Sequence, residues 1–117
     1  MFTGGEPTVH PDLLECVAYA KSLGYQEIQI QSNGRKFSDI SYLEKLIAYG
    51  VTEFSPAIHG FHAETHDRLV GSPGAWKEVV EGIRNLRKLN QRIIINSVIT
   101  EGNFREIPAL AMLLVKL

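Results

Sequence analysis

The sequence holds a single cysteine, Cys16. One thiol can neither form an internal disulfide nor complete a cysteine-based metal site by itself. The expectation for Cys16 is a small apolar residue on the buried side of a helix. Long apolar runs are missing too, because the longest, from Ala109 to Val115, falls far short of the ~18 residues that cross a bilayer. The N-terminus lacks the basic, apolar and small-residue succession of a signal peptide, so the cytoplasm is the expected compartment. Charge of one sign is not in excess: 12 Lys and Arg stand against 13 Asp and Glu, a net charge of -1, which draws in neither nucleic acid nor an anionic membrane. No Gly-x-Ser-x-Gly, phosphate loop or dinucleotide fingerprint occurs, and hydrolase and nucleotide-hydrolysing readings fall away.

What remains is the balance of a globular domain: 117 residues, 44% hydrophobic and 21% charged. A chain of this size buries roughly two thirds of its unfolded surface, enough for a core. It is too short for a complete eight-unit α/β barrel. With no low-complexity stretch or linker, residues 1–117 read as one domain.

Periodicity organises that domain. Leu13, Leu14, Val17, Ala18 and Ala20 recur at helical spacing, with Pro11 in the first turn and Gly24 as the stop. Glu27 to Gln31 alternates polar with apolar and is cut off by Ser32-Asn33-Gly34, a strand running into a turn. Ile40, Leu43, Leu46 and Ile47 mark a second helix ending at Gly50, and Val51 to Pro56 a second strand leaving at His59-Gly60. A short helical piece around 64–70 precedes Gly71-Ser72-Pro73-Gly74. Ser72 as cap and Pro73 in the first helical position then open the longest helix, through Trp76, Val79, Val80, Ile83, Leu86 and Leu89. Arg92 to Val98, with its Ile93-Ile94-Ile95 run, suits a strand covered on both faces. Asn103 and Glu106, three apart, form a capping-box variant before a last helix. Arg84, Arg87, Lys88 and Arg92 cluster where the longest helix ends, and interaction with the helix dipole accounts for them.

This alternation predicts an α/β fold with a parallel sheet of about three to four strands. Ligands bind at the carboxyl ends of such strands, which fall near Thr3, Gln31, Pro56 and Val98. Gly5, Glu6, Ser32, Asn33, His59 and Asn96 are therefore expected on one rim. The Gly4-Gly5-Glu6-Pro7 run is the most informative of these sites. Two glycines let the backbone turn and approach a ligand closely, and Glu6 adds a carboxylate for a cationic or polar group. His59, His62 and His66 invite a metal reading, but no fourth ligand is clearly placed, and Glu64 and Asp67 read as solvated loop residues.

Four ordered stretches carry a resemblance: Thr3-Gly4-Gly5-Glu6-Pro7-Thr8, then Gln31-Ser32-Asn33-Gly34, then Ile58-His59-Gly60 with His66-Asp67 and 71–74, then Asn96-Ser97-Val98 with Gly102-Asn103. Together the chain resembles the middle of a radical S-adenosylmethionine enzyme core, a partial (β/α) barrel. The resemblance implies that Gly4, Gly5 and Glu6 receive the amino group of S-adenosylmethionine and that Ser32 or Asn33 lies near the cofactor. It further implies that Ser55 faces its carboxylate or ribose, that Asn96 lies close to the ribose, and that adenine rests near Val98 and Ile99. The family also holds a four-iron four-sulfur cluster on three cysteines in a Cys-x3-Cys-x2-Cys loop. That loop is not among these residues, so the expectation is a piece of a parent enzyme that makes a 5′-deoxyadenosyl radical from S-adenosylmethionine, inactive alone.

A different class stays open, a non-catalytic binding or assembly module. Open sheet edges pair with other chains, and the last helix carries Leu110, Met112, Leu113, Leu114, Val115 and Leu117 around nearly all its sides. Self-association is expected on either reading.

Overall fold

In the computed structural model, which describes residues 1–117, three short parallel strands form one sheet: β1 (Gln29–Ser32), β2 (Glu53–Pro56) and β3 (Arg92–Ile93), in the order β1-β2-β3. Gln31 pairs with Ser55 and Phe54 with Ile93. Phe2 adds a parallel bridge to Ile30 on the far side of β1, its N–H donating to the Gln29 carbonyl at 2.7 Å. The ladder also runs past β3, where the Ile94 N–H donates to Phe54 and the Asn96 N–H to Pro56.

Strand side chains alternate between faces. Ile30 and Phe54 are fully buried on one face, while Gln29, Gln31, Glu53 and Ser55 share the other. Strand order follows chain order, so right-handed crossovers put every helix on the same face. There α1 (Leu13–Ser22), α2 (Ile40–Tyr49) and α4 (Ala75–Lys88) supply Leu13, Val17, Leu43, Leu46 and Leu86 to a core built around Ile30 and Phe54. A second cluster joins Ile58 to Val79, Val80 and Ile83 of α4 and Leu110 of α5 (Ile107–Lys116). The remaining helix, α3 (Ala63–Val70), packs on α4. No helix is long and apolar enough to cross a membrane. The α/β expectation holds, as a three-stranded parallel open sheet with helices, consistent with a partial β/α barrel.

Several local expectations are corrected. Cys16 is exposed, because Leu13 and Val17 one turn apart take the buried stripe of α1 and leave Cys16 beside it. The first helical residue of α4 is Ala75, after Gly74 in the left-handed region at φ 85°; Ser72 does not cap it. Asp67 takes that role, accepting from the N–H groups of Gly74 at 2.6 Å and Trp76 at 2.8 Å. The triple isoleucine is not covered on both faces: Ile94, on the helix-free face, is 46% exposed. The Glu106 N–H donates to the Asn103 carbonyl at 2.9 Å, but neither side chain caps the other residue's backbone. Glu106 instead reaches back to the Phe61 N–H at 2.9 Å and the Thr65 hydroxyl at 2.5 Å. Of the basic cluster, Arg87 and Lys88 lie in the last turn of α4, whereas Arg92 pairs with Glu53 at 2.9 Å and Glu27 at 3.3 Å.

Candidate functional site

Glu6 starts a single 3-10 turn (Pro7–Val9), and its own carboxylate closes it by accepting from the Thr8 N–H at 3.1 Å. The same Oε1 accepts from the Thr8 hydroxyl at 2.6 Å and the Ser32 hydroxyl at 2.7 Å, while Oε2 accepts from the Asn33 N–H at 2.6 Å. Four donors thus fix the carboxylate, and Oε2, with one of them, retains acceptor capacity. None of these donors is charged, and no Lys, Arg or His forms an ion pair with Glu6. The result is a negative group with defined orientation and no internal counter-charge.

The glycines ahead of it have different reasons to be glycine. Gly4 adopts φ 93°, a conformation side chains rarely take. Gly5 has no positive φ, and a Cβ there would meet nothing within 4 Å. Neither the fold nor packing requires glycine at position 5, and the space beside it is open to an approaching molecule. Gly4, Gly5, Glu6, Ser32 and Asn33 line one cleft of about 250 Å³ with Gln31 at the end of β1. Glu6 and Asn33 also border a second cleft of about 400 Å³, polar except for Val9, that reaches Arg35 and Lys36.

The Ser32-Asn33-Gly34 turn that meets Glu6 is held from behind. Its hydrogen bonds are local, from the Gly34 N–H to Ser32 Oγ at 3.0 Å and from the Arg35 N–H to Asn33 Oδ1 at 3.0 Å. The 3-10 turn that follows (Arg35–Ser38) lies against α4, where Gly82 comes so near that an added Cβ would sit 2.8 Å from Phe37 Cβ and 2.9 Å from the Gly34 carbonyl. One turn on, buried Asn85 donates to the carbonyls of Phe37 at 3.2 Å and Ser38 at 2.9 Å. Lys36 and Tyr42 both donate to the Thr8 carbonyl, at 3.0 and 3.3 Å, anchoring the far end of the Glu6 turn. Burial, and secondarily the Glu6 charge, push the Tyr42 phenol above its ordinary value.

One strand across the sheet, Ser55 and Asn96 are brought together, Asn96 Nδ2 donating to Ser55 Oγ at 2.7 Å and that hydroxyl donating to the Ile94 carbonyl at 3.0 Å. Ser55 is buried, and Asn96 pairs with Ala57, which borders the Glu6 cleft. Val98 and Ile99 are each 64% exposed. The buried Ser97 hydroxyl has no hydrogen-bond partner. Gly4, Gly5, Glu6, Ser32 and Asn33 therefore share one cleft, Ser55 and Asn96 form a neighbouring pair, and Val98 stands further along the same rim.

The histidines do other work than converging on a point. His66 Nδ1 accepts from the His59 N–H at 3.0 Å, His59 Nδ1 accepts from the Val98 N–H at 3.1 Å, and the two rings stack at 5.6 Å. His62 is exposed at the head of α3. Burial pushes both imidazoles, His59 and His66, below their ordinary value of 6.5. No three His, Cys, Asp or Glu side chains gather in the structure. Sequence reasoning missed Thr8 as a second donor to Glu6, although Pro7 in a first turn signalled the tight bend. It also missed Gln31, whose place on the polar face of β1 was implied by the alternation.

The sequence pattern of the Radical SAM superfamily matches residues 1–114. The chain is 36% identical over 92% of its length to an AdoMet-dependent heme synthase of Methanosarcina barkeri, and 32% identical over 97% to an Fe-coproporphyrin III synthase of the same organism. It is also 32% identical over 90% of its length to a probable GTP 3',8-cyclase of Saccharolobus islandicus. It spans only 30%, 28% and 33% of those relatives respectively. A cleft at the strand ends, a Gly-Gly-Glu turn lining it and a match along nearly the whole chain lead to one assignment: this chain belongs to the radical SAM superfamily.

Proposed function

We propose that this chain forms the S-adenosylmethionine-binding half of a radical SAM active site. The observation that carries the reading is the Glu6 carboxylate, fixed by four neutral donors, without a cation of its own, beside the unfilled space at Gly5. Such a site suits a ligand bearing an ammonium group, for which a half-buried, oriented carboxylate and nearby backbone carbonyls are complementary. In this reading Glu6 and the backbone of Gly4 and Gly5 take the amino group, with Ser32 and Asn33 fixing Glu6 close to it. Ser55 and Asn96 serve the carboxylate or ribose, and Val98 and Ile99 the adenine. The name of one relative, AdoMet-dependent, supports the choice of ligand. The three relatives are named for heme, Fe-coproporphyrin III and GTP, so what this chain shares with all of them suits the common cofactor better than any one substrate.

The residues fit the organic cofactor and do not fit the cluster that the family implies. Four-iron four-sulfur clusters take thiolate ligands, and the sole cysteine lies exposed on α1. When bound at such a cluster and reduced by one electron, S-adenosylmethionine supplies methionine and a 5′-deoxyadenosyl radical. We assign that chemistry to the whole protein, and expect this chain alone to release no 5′-deoxyadenosine under reducing conditions.

Calorimetric titration of the chain with S-adenosylmethionine tests the reading. Binding that is abolished by Glu6→Ala is the expected result; no heat at any concentration up to the millimolar range, or unchanged affinity in Glu6→Ala, overturns it. A second reading, assembly with another copy, is favoured by α5, whose Met112 and Val115 are 60% and 76% exposed.

A further inference from the structure

The last ladder bond of the sheet runs from the Ile58 N–H to the Asn96 carbonyl at 2.9 Å, and beyond it the chain leaves strand pairing. Val98 nevertheless has both backbone groups satisfied by side chains. Its N–H donates to His59 Nδ1 at 3.1 Å, and its carbonyl accepts from Asn103 Nδ2 at 2.8 Å. Asn103 Nδ2 donates also to the His59 carbonyl at 2.7 Å. Its Oδ1 accepts from the Thr100 N–H at 2.7 Å and the Thr100 hydroxyl at 3.3 Å. Both amide protons and both lone pairs of Asn103 are thereby used, and the residue is only 2% exposed. His59 in turn is held through its N–H by His66.

Two side chains thus replace a neighbouring strand for Val98, and the backbone is fixed where its apolar side chain, with that of Ile99, faces outward. Burial of polar groups on this scale is stable only when each is paired, so losing one partner releases the arrangement as a unit. We propose that His59 and Asn103 are positioning residues that lock the Val98–Ile99 segment, given to adenine in the reading above, into a rigid apolar ledge at the strand ends. The ligand half of this proposal rests on the S-adenosylmethionine reading above; the lock itself does not.

The lock has a built-in proton dependence, because only an unprotonated Nδ1 can accept from Val98. The titratable and charged groups on the elements packed around His59 are His62 at the head of α3, Glu64, His66, Asp67 and Arg68 within it, Glu101 in the 96–103 loop, and Arg105 and Glu106 before α5; Arg68 reaches from α3 to the Gly102 carbonyl at 3.4 Å. None of them pairs with His59 in a salt bridge, so protonation of its ring has no compensating charge at hand.

Amide exchange measured by NMR on the 117-residue chain tests the lock, with the Ile30 amide as a control for the core. The wild type is expected to protect the Val98 amide at pH 7.5 and to lose about tenfold of that protection at pH 5, while Ile30 changes less. His59→Asn keeps an acceptor near the Nδ1 position but does not titrate, and should hold Val98 protected at both pH values; His59→Leu should leave it unprotected at both. Asn103→Asp keeps Oδ1 and loses both donors. It is expected to free the segment and to weaken S-adenosylmethionine roughly three- to tenfold, the scale of one lost preorganisation. Rapid exchange of Val98 in the wild type at pH 7.5, or a pH profile in His59→Asn that matches the wild type, overturns the lock. Absence of S-adenosylmethionine binding in the wild type would remove the cofactor reading while the Val98 profile still decides the lock.

Discussion

Glu6 Oε1 accepts from the Ser32 hydroxyl at 2.7 Å, a contact between residues 26 positions apart that joins the glycine turn to the end of β1. Ser32 Oγ also accepts from the Gly34 N–H, so one hydroxyl orients both the carboxylate and the turn beside it. Ser32→Ala leaves that buried N–H without its partner and removes one of four donors from Glu6. A loss of about 1–3 kcal/mol in urea unfolding is expected, together with weaker S-adenosylmethionine binding. Equal midpoints for the variant and the wild type would contradict this account of the turn.

The two glycines should separate by experiment. Gly4→Ala forces a side chain into φ 93° and is expected to destabilise the fold by about 1 kcal/mol or more. Gly5→Ala, with ordinary φ and open space, should change stability by less than about 0.5 kcal/mol while lowering ligand affinity. Retained affinity in folded Gly5→Ala would mean that the open space there has no role in binding.

At Gly82, two effects oppose one another. Alanine favours a helix interior over glycine by about 1 kcal/mol, but its methyl would lie 2.8 Å from Phe37 Cβ and 2.9 Å from the Gly34 carbonyl, and overpacking of that kind costs about 1–3 kcal/mol. Backbone at Gly34 cannot give way without shifting the turn at Glu6, so a net loss is expected. A thermal midpoint equal to or above the wild type would show that the turn moves freely against α4.

Stability should fall with pH in two stages. Folding lowers the His59 and His66 values, so the unfolded chain binds more protons than the native one as pH drops through 6.5, and stability is lost there. Lower down, Glu106 and Asp67 are held below their ordinary 4.5 and 3.8, Glu106 chiefly by the Thr65 hydroxyl and Asp67 by the Trp76 N–H. The stability they add above those values is lost as pH falls through their folded ones. Urea midpoints at pH 7.5, 5.5 and 4 check the profile; a flat line from 7.5 to 5.5 would contradict the histidine assignment.

Sedimentation tests association through α5. If Met112 and Val115 form a contact between copies, Val115→Glu should shift the chain from a larger species to 13.1 kDa, without unfolding. A wild-type chain that sediments at 13.1 kDa removes the idea.

Most of the fold was legible because its signals are local. Strand alternation at 27–31, the Gly50 stop and the amphipathic stripe from Trp76 to Leu86 all lie where residues a few positions apart decide the outcome. Glu6, Ser32 and Asn33 were legible as a rim because turns at strand ends announce themselves. What stayed hidden depended on partners distant in sequence. Asn103 and Glu106 have the spacing of a cap, yet their side chains are claimed by His59 and Thr65 some forty residues earlier, at 2.7 and 2.5 Å. Asp67 outcompeted Ser72 for the start of α4 for the same reason. The exposure of Ile94 depended on which sheet face the helices cover, and no run of isoleucines encodes that.

The one-sided sheet has a consequence for how this sequence tolerates change. Ile30 and Phe54 answer to packing, while Gln31 and Ser55, each a single position further on, answer to the rim. A saturation scan along β1 and β2 should therefore split with period two into positions that govern abundance and positions that govern ligand affinity. Ser32, buried among the first kind yet bonded to Glu6, is where the two demands fall on one side chain.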